Sequence, residues 1–264
     1  MNIYIETYGC AANQNDSEIM AGLLKRSGFN IVKNLDSADL IILNSCTVKH
    51  ATENKIMHRI NELSKKKTPL IIAGCMPETQ YEKIRDITQS ASLIGASSVT
   101  NIAKIVKKTI NGETIEEFSK GKDKVCLPKI HQNKLIDIVQ ISEGCLSDCS
   151  FCITKHARGN LHSYDPEMII KEIGKSKKSG VKEFWLTSQD CGCYGFDINT
   201  NLAELLEKIV KEVPGNYFIR LGMMHPMHLK KIYKNLINIM KHKNIFKFLH
   251  VPIQSGSKKI LKKK

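Results

Sequence analysis

Short apolar runs alternate along this chain with longer segments whose apolar positions recur every three to four residues. The runs at residues 2–8, 39–44 and 69–73 read as strands, the last two buried on both faces, with shorter candidates at 29–32 and 91–94. Helical spacing fills the intervals at 17–26, 52–65, 78–86 and 99–110. This βα alternation predicts an open parallel α/β sheet with helices on both faces over residues 1–112. Right-handed crossovers then bring the strand C-termini to one edge. Residues 113–134 are polar, charged and weakly periodic, and read as a linker. The alternation resumes with strands at 135–141, 181–187, 217–221 and 246–251 and helices at 166–179, 202–212 and 227–241. That pattern predicts a β/α barrel over 135–264, incomplete because the sequence stops soon after its fourth strand, with its chemistry at the strand C-termini.

Composition changes this picture in three ways. No run of 18 or more apolar residues occurs and the N-terminus lacks a basic-then-apolar leader, so neither a membrane span nor a secretory signal is expected. Nine cysteines without such a signal point to metal or catalytic thiols in a reducing compartment, with the cytoplasm as the expected location. The net charge of +14 is uneven. Residues 1–118 hold 14 Lys+Arg against 13 Asp+Glu, and residues 119–264 hold 26 against 13. A basic half is the electrostatic footprint of a nucleic-acid binder, although a lysine-rich solvated surface gives the same count.

The cysteines fall into two sets. Cys145, Cys149 and Cys152 form a C-x3-C-x2-C run in the loop after the 135–141 strand. Three thiolates so spaced can hold three irons of a cubane cluster and leave the fourth open. The alternative is zinc completed by a remote Cys or His, although the spacing is unlike the paired C-x2-C knuckles of zinc ribbons. Cys10, Cys46 and Cys75 are far apart in sequence, yet each lies just past a predicted strand end, where open α/β sheets build ligand sites. Gly9 and Gly74 precede two of them and permit tight turns. Three separate core cysteines are the plain alternative. Cys126 in the linker reads as a surface or packing residue. Cys191 and Cys193 lie near the predicted barrel mouth, either as loop residues or in touch with a cluster.

The segments Glu6-Thr7-Tyr8-Gly9-Cys10 with Asn13-Gln14 and Asp16-Ser17-Glu18, Asn44-Ser45-Cys46-Thr47-Val48, Ala73-Gly74-Cys75-Met76-Pro77, Glu143-Gly144-Cys145 and His250-Val251-Pro252-Ile253-Gln254-Ser255-Gly256-Ser257 occur in that order. Together they resemble the radical S-adenosylmethionine (SAM) methylthiotransferases. The opening motif and Thr187-Ser188-Gln189-Asp190 are most similar to the archaeal and eukaryotic branch, which acts on N6-threonylcarbamoyladenosine beside the tRNA anticodon. The resemblance implies two 4Fe-4S clusters. Cys145, Cys149 and Cys152 would hold the one that binds and cleaves SAM, and Cys10, Cys46 and Cys75 the auxiliary one that carries the transferred sulfur. One SAM would methylate that sulfur, and a second would give the radical that removes hydrogen from C2 of adenine. Phe151, Gln189, Asp190 and Arg220 would line the SAM site, with Arg220 suited to the SAM carboxylate or, alternatively, held in a structural ion pair. The implied partners are the tRNA anticodon arm, an electron donor and a sulfur source.

The resemblance also sets expectations beyond residue 264. Family members complete a six-stranded barrel and add a C-terminal RNA-binding TRAM domain, so a truncated gene, a split gene completed by a second polypeptide, or a fragment is expected. Sibling enzymes act on isopentenyladenosine in tRNA or on an aspartate of a ribosomal protein. Two further alternatives are a non-catalytic iron–sulfur or zinc-bound RNA-binding remnant and a cobalamin-dependent radical SAM methylase. The cobalt-ligating string Asp-x-His-x-x-Gly that marks the latter does not occur in this sequence.

Overall fold

A computed structural model describes residues 1–48, 50–119 and 123–261, so the terminal lysine run at 262–264 lies outside the described residues. Two compact units divide the chain, one of residues 1–130 with 156–158, the other of residues 131–155 with 159–264.

In the first unit β1 (Asn2–Thr7), β2 (Asn30–Val32), β3 (Leu40–Ser45), β4 (Leu70–Gly74), β5 (Ser92–Gly95) and β6 (Glu116–Glu117) form one sheet, in the order β2-β1-β3-β4-β5-β6. Every pairing is parallel. Both faces are covered, which is why β3 and β4 read as unbroken apolar runs. Leu40, Ile42, Ile71 and Ala73 pack with Met20 and Leu24 of α1 (Ala11–Arg26) and Ile105 of α5 (Ile102–Ile110). Ile41, Leu43, Leu70 and Ile72 face the other way, onto Ile56, Ile60 and Leu63 of α2 (His50–Ser64) and Ile84 of α4 (Tyr81–Ile87). The helix expected at 78–86 is split, because Gln80 (φ −133°, ψ 31°) interrupts it between α3 (Met76–Thr79) and α4.

The expected linker needs correction. Glu116 and Glu117 add an edge strand to β5. Farther on, Lys124 is fully buried, with Nζ 2.8 Å from Asp16 Oδ1 and 2.9 Å from the Ala96 carbonyl. The Pro128 backbone packs directly on Gly22, where an added Cβ would stand 2.2 Å from the Pro128 carbonyl oxygen. Residues 113–130 thus belong to the first unit. Polar composition concealed this because an edge strand needs only one paired side, and a buried lysine needs only a partner.

In the second unit β7 (Ile136–Gln140), β10 (Glu183–Thr187) and β11 (Phe218–Leu221) pair in parallel, with β10 central. Between β7 and β10 a two-residue antiparallel ribbon joins β8 (Ser142–Glu143) to β9 (His162–Ser163). It pinches the base of the cysteine loop and of α6 (Ile153–Arg158). Helices α7 (Pro166–Lys178), α8 (Leu202–Glu212) and α9 (Pro226–Met240) follow in the expected places. Asp165, Asn201 and His225 cap their N-termini, and Pro166 and Pro226 occupy first-turn positions where a missing N–H costs nothing. A short turn, α10 (Lys258–Leu261), ends the described chain.

The predicted fourth barrel strand is reduced to two isolated parallel bridges, Ile219 with Ile245 and Met223 with His250. Hydrogen bonds from Phe246 N to Ile219 O and from Met224 N to His250 O hold the segment beside β11, but no continuous ladder forms between them. Ile219 and Leu221 are buried, while Phe218 and Arg220, on the opposite face of β11, are exposed. The open α/β sheet followed by a partial β/α barrel is therefore the observed architecture.

Candidate metal and cofactor sites

The sheet order reverses between β1 and β3, and their C-terminal ends are where such sheets place ligands. Cys10 follows β1 at the N-cap of α1, Cys46 directly follows β3, and Cys75 directly follows β4. Asn13 ties the three loops together. Its Nδ2 donates to Tyr8 O at 3.0 Å and to Ser45 O at 2.7 Å, and its Oδ1 lies 3.9 Å from both Cys10 Sγ and Cys75 Sγ. Ser45 O also accepts from Cys75 N at 3.0 Å. Gly9 (φ +111°) leaves the space that the Cys46 thiol borders, since a Cβ there would stand 2.9 Å from Cys46 Sγ. Gly74 (φ +96°) lies so close to Asn44 and Ser45 that a Cβ would stand 2.4 Å from Asn44 Oδ1. Burial pushes the Cys46 and Cys75 thiols up, and for Cys75 the Arg158 guanidinium opposes that push. A cation beside buried sulfurs favours the thiolate form that binds metal. Three soft sulfur donors, a cradle kept open by glycine and a nearby guanidinium fit an iron–sulfur cluster.

Cys145, Cys149 and Cys152 line a cavity of about 140 Å³ in the second unit, together with Phe151, Gln189 and Asp190. Cys145 leaves the ribbon through Gly144 (φ +73°), where a Cβ would stand 1.9 Å from the Asn160 carbonyl oxygen. The Gly144 N–H donates to Gln189 Oε1 at 2.7 Å, so the turn after β10 holds the start of the cysteine loop. Replacing Gly144 with alanine combines a left-handed backbone with a backbone collision. The expected loss is about 3 kcal/mol, read by thermal unfolding, together with loss of iron uptake at this set. An unchanged melting temperature would mean that the loop tolerates a side chain at position 144.

Asp190 is buried and anchors the turn. Its Oδ1 accepts from Gly192 N at 2.8 Å and His225 N at 3.0 Å, and its Oδ2 meets His228 Nδ1 at 2.6 Å. The two extra thiols differ. Cys191 is packed away, its Sγ directed at Leu186 O at 3.7 Å, and burial pushes it up to about 11. Cys193 Sγ, Cys145 Sγ and an Asp190 carboxylate oxygen lie within 4.8 Å of one another. A hydrogen bond from Cys193 holds the Cys145 thiol below its ordinary range, and Cys193 is pushed up in return. Cys149 is raised by burial.

The sequence-derived set is thus only partly assembled. Phe151, Gln189 and Asp190 share the cavity with the three cysteines, but Arg220 does not line it. Arg220 projects from β11 in register with Trp185 and Ile138, and its guanidinium stacks 4.9 Å from the Trp185 ring centre. Lys155, three residues after Cys152, lines the cavity instead. Sequence reading missed Lys155, Arg158 and His228. Asn13 and Asp16, both in the family motif, were given no role.

Two family models match the chain. Residues 2–95 match the one described as uncharacterized protein family UPF0004, and residues 139–264 match the radical SAM superfamily. A probable threonylcarbamoyladenosine tRNA methylthiotransferase of Pyrococcus horikoshii is 41% identical over 267 residues, covering 100% of this chain and 62% of that protein. The human threonylcarbamoyladenosine tRNA methylthiotransferase is 39% identical, covering 98% of this chain and 46% of the human one. The chain therefore spans about half to three fifths of the length of these curated relatives. Among solved structures, the radical SAM methyltransferase TsrM of Kitasatospora setae, with cobalamin and a [4Fe-4S] cluster bound, superposes with a TM-score of 0.66 at 13% identity. That match covers 98% of this chain and 62% of TsrM, and it is a likeness of fold. With both halves matched in order and full-length likeness at about 40% identity, the chain belongs to the radical SAM methylthiotransferase family.

Proposed function

We propose that the chain takes part in tRNA methylthiolation, converting N6-threonylcarbamoyladenosine beside the anticodon to its 2-methylthio derivative by radical chemistry. The carrying observation is the presence of two separate three-cysteine sets, each at the C-terminal ends of parallel strands, one of them sharing a cavity with Gln189 and Asp190. Two 4Fe-4S clusters follow from this reading. Cys145, Cys149 and Cys152 would hold one, which would supply the reducing electron for SAM cleavage, and Cys10, Cys46 and Cys75 would hold the other, which would supply the transferred sulfur. Radical chemistry suits the substrate, because no side-chain base removes the proton from C2 of adenine.

The chain's own residues shape the site. Gln189 fixes the entrance of the cysteine loop through Gly144, and Asp190 holds the turn that carries Gln189. Phe151 and Pro252 wall the cavity with apolar surface and limit water. Lys155 lines the cavity with its Nζ donating to the Cys145 carbonyl and 3.4 Å from Asp148 Oδ1, which braces the cysteine loop. The cobalamin-dependent alternative gains nothing from the TsrM likeness, which is one of fold, and the cobalt-ligating string is missing from the sequence. Thiolates that must stay reduced suit the cytoplasm, where a reductant and a sulfur source are also at hand. Mass spectrometry of tRNA nucleosides from cells with and without the gene tests the function. Loss of 2-methylthio-N6-threonylcarbamoyladenosine supports it. Loss of the isopentenyladenosine mark would instead assign the sibling substrate, and an unchanged nucleoside profile would overturn both.

The charge excess in residues 119–264 supports RNA contact in the second half. Affinity for an anticodon stem-loop is expected to fall steeply with salt, by roughly tenfold or more between 50 and 200 mM. Filter binding across a salt series reads this, and a flat response would contradict the assignment.

A further inference from the structure

We infer that Arg158 is the positioning cation of the Cys10–Cys46–Cys75 site, holding its three loops in the geometry that binds a cluster. This rests on the two-cluster reading above and goes beyond it by naming a residue that lies in neither cysteine set. Arg158 is the last residue of α6 and is 5% exposed. Its Nη2 donates to Asn13 Oδ1 at 2.9 Å and to Asp16 Oδ2 at 2.8 Å. That Asn13 oxygen is the atom lying 3.9 Å from Cys10 Sγ and from Cys75 Sγ, while the Asn13 amide nitrogen grips the carbonyl of Tyr8, in the Cys10 loop, and that of Ser45, beside Cys46. The guanidinium therefore orients a side chain that touches all three loops.

Asp16 has a second cation, since Lys124 Nζ reaches its other oxygen at 2.8 Å. Neutralising Asp16 alone thus does not account for a second buried cation at this carboxylate. Three thiolates around an iron–sulfur core leave net negative charge, and burying it is costly unless a cation lies close. Arginine suits the position because its planar fork serves Asn13 and Asp16 together while its charge faces the sulfurs. Lysine offers a point charge without that fork.

The experiment compares the full chain with Arg158→Gln and Arg158→Lys after anaerobic reconstitution. Bound iron, the midpoint potential of each cluster and reductive SAM cleavage are measured in parallel. R158Q keeps a hydrogen-bonding side chain but removes the charge. It is expected to lose about half of the iron, with the loss confined to the Cys10–Cys46–Cys75 set and SAM cleavage retained. R158K is expected to keep the iron, with a shifted potential for that cluster alone. R158Q with the iron and potentials of the unmodified chain overturns the inference. So does loss of both clusters in R158Q and R158K alike, because that outcome assigns Arg158 to general folding. An unmodified chain that holds only one cluster overturns the two-cluster reading, and this inference with it.

Discussion

Replacing Cys10, Cys46 and Cys75 with alanine is expected to halve the iron of the reconstituted chain, from about eight to about four, while leaving reductive SAM cleavage in place. Replacing Cys145, Cys149 and Cys152 is expected to remove the other half and abolish SAM cleavage. The asymmetry follows from placement. Only the second set shares its cavity with Gln189 and Asp190 at the end of a barrel strand, whereas the first lies at the rim of the other unit's sheet. Iron analysis, visible absorbance and detection of 5′-deoxyadenosine read the outcome. Stoichiometric zinc without iron–sulfur absorbance, or an equal loss of SAM cleavage in both triple variants, would sink the assignment.

The second large effect is expected at Asp190. Changing it to alanine strands three donors, the backbone N–H groups of Gly192 and His225 and the imidazole of His228, around a buried void. Each stranded donor costs about 1–3 kcal/mol, and the sum is expected on the order of 3–5 kcal/mol because the exposed part of the turn can relax. The turn that carries Gln189 then loosens, so affinity for SAM should fall in the same variant. Asp190→Asn keeps one accepting oxygen and should lose about half as much. Urea unfolding and equilibrium binding of SAM separate the two effects. If D190A unfolds like the unmodified chain, Asp190 is a bystander, and the Gln189 turn is held by something else.

Much of this was legible in the sequence. The parallel sheet was readable because β3 and β4 are buried on both faces, and a strand so placed must be apolar at every position. The C-x3-C-x2-C set was readable because its members are close neighbours in one loop. The Cys10, Cys46 and Cys75 set was readable for a different reason: parallel topology sends every strand end to one edge, so thiols far apart in sequence share an address. The helices expected from 166, 202 and 227 start at Pro166, Leu202 and Pro226, because apolar spacing is a local signal.

The rest was decided by tertiary structure, for a common physical reason. Lys124 and Arg158 are charged residues that composition assigns to solvent, yet both are buried because each finds Asp16 from a distant part of the chain. No local window contains those pairs, so residues 113–130 read as a linker although they complete a sheet and a core. The fourth barrel strand failed for the converse reason. Residues 246–251 have strand-like composition, but a ladder also needs a neighbour in continuous register, and here only isolated bridges form, Ile219 with Ile245 and Met223 with His250. Arg220 was legible as a cation at a strand end, but its target was not. Register with Trp185 puts an aromatic face beside it, and stacking there keeps it off the cavity that Lys155 lines instead. The sequence determined which residue types gather at strand ends, and hence the chemistry available. Only the folded chain decided which charges those sulfurs face, because that depends on partners separated by more than a hundred residues.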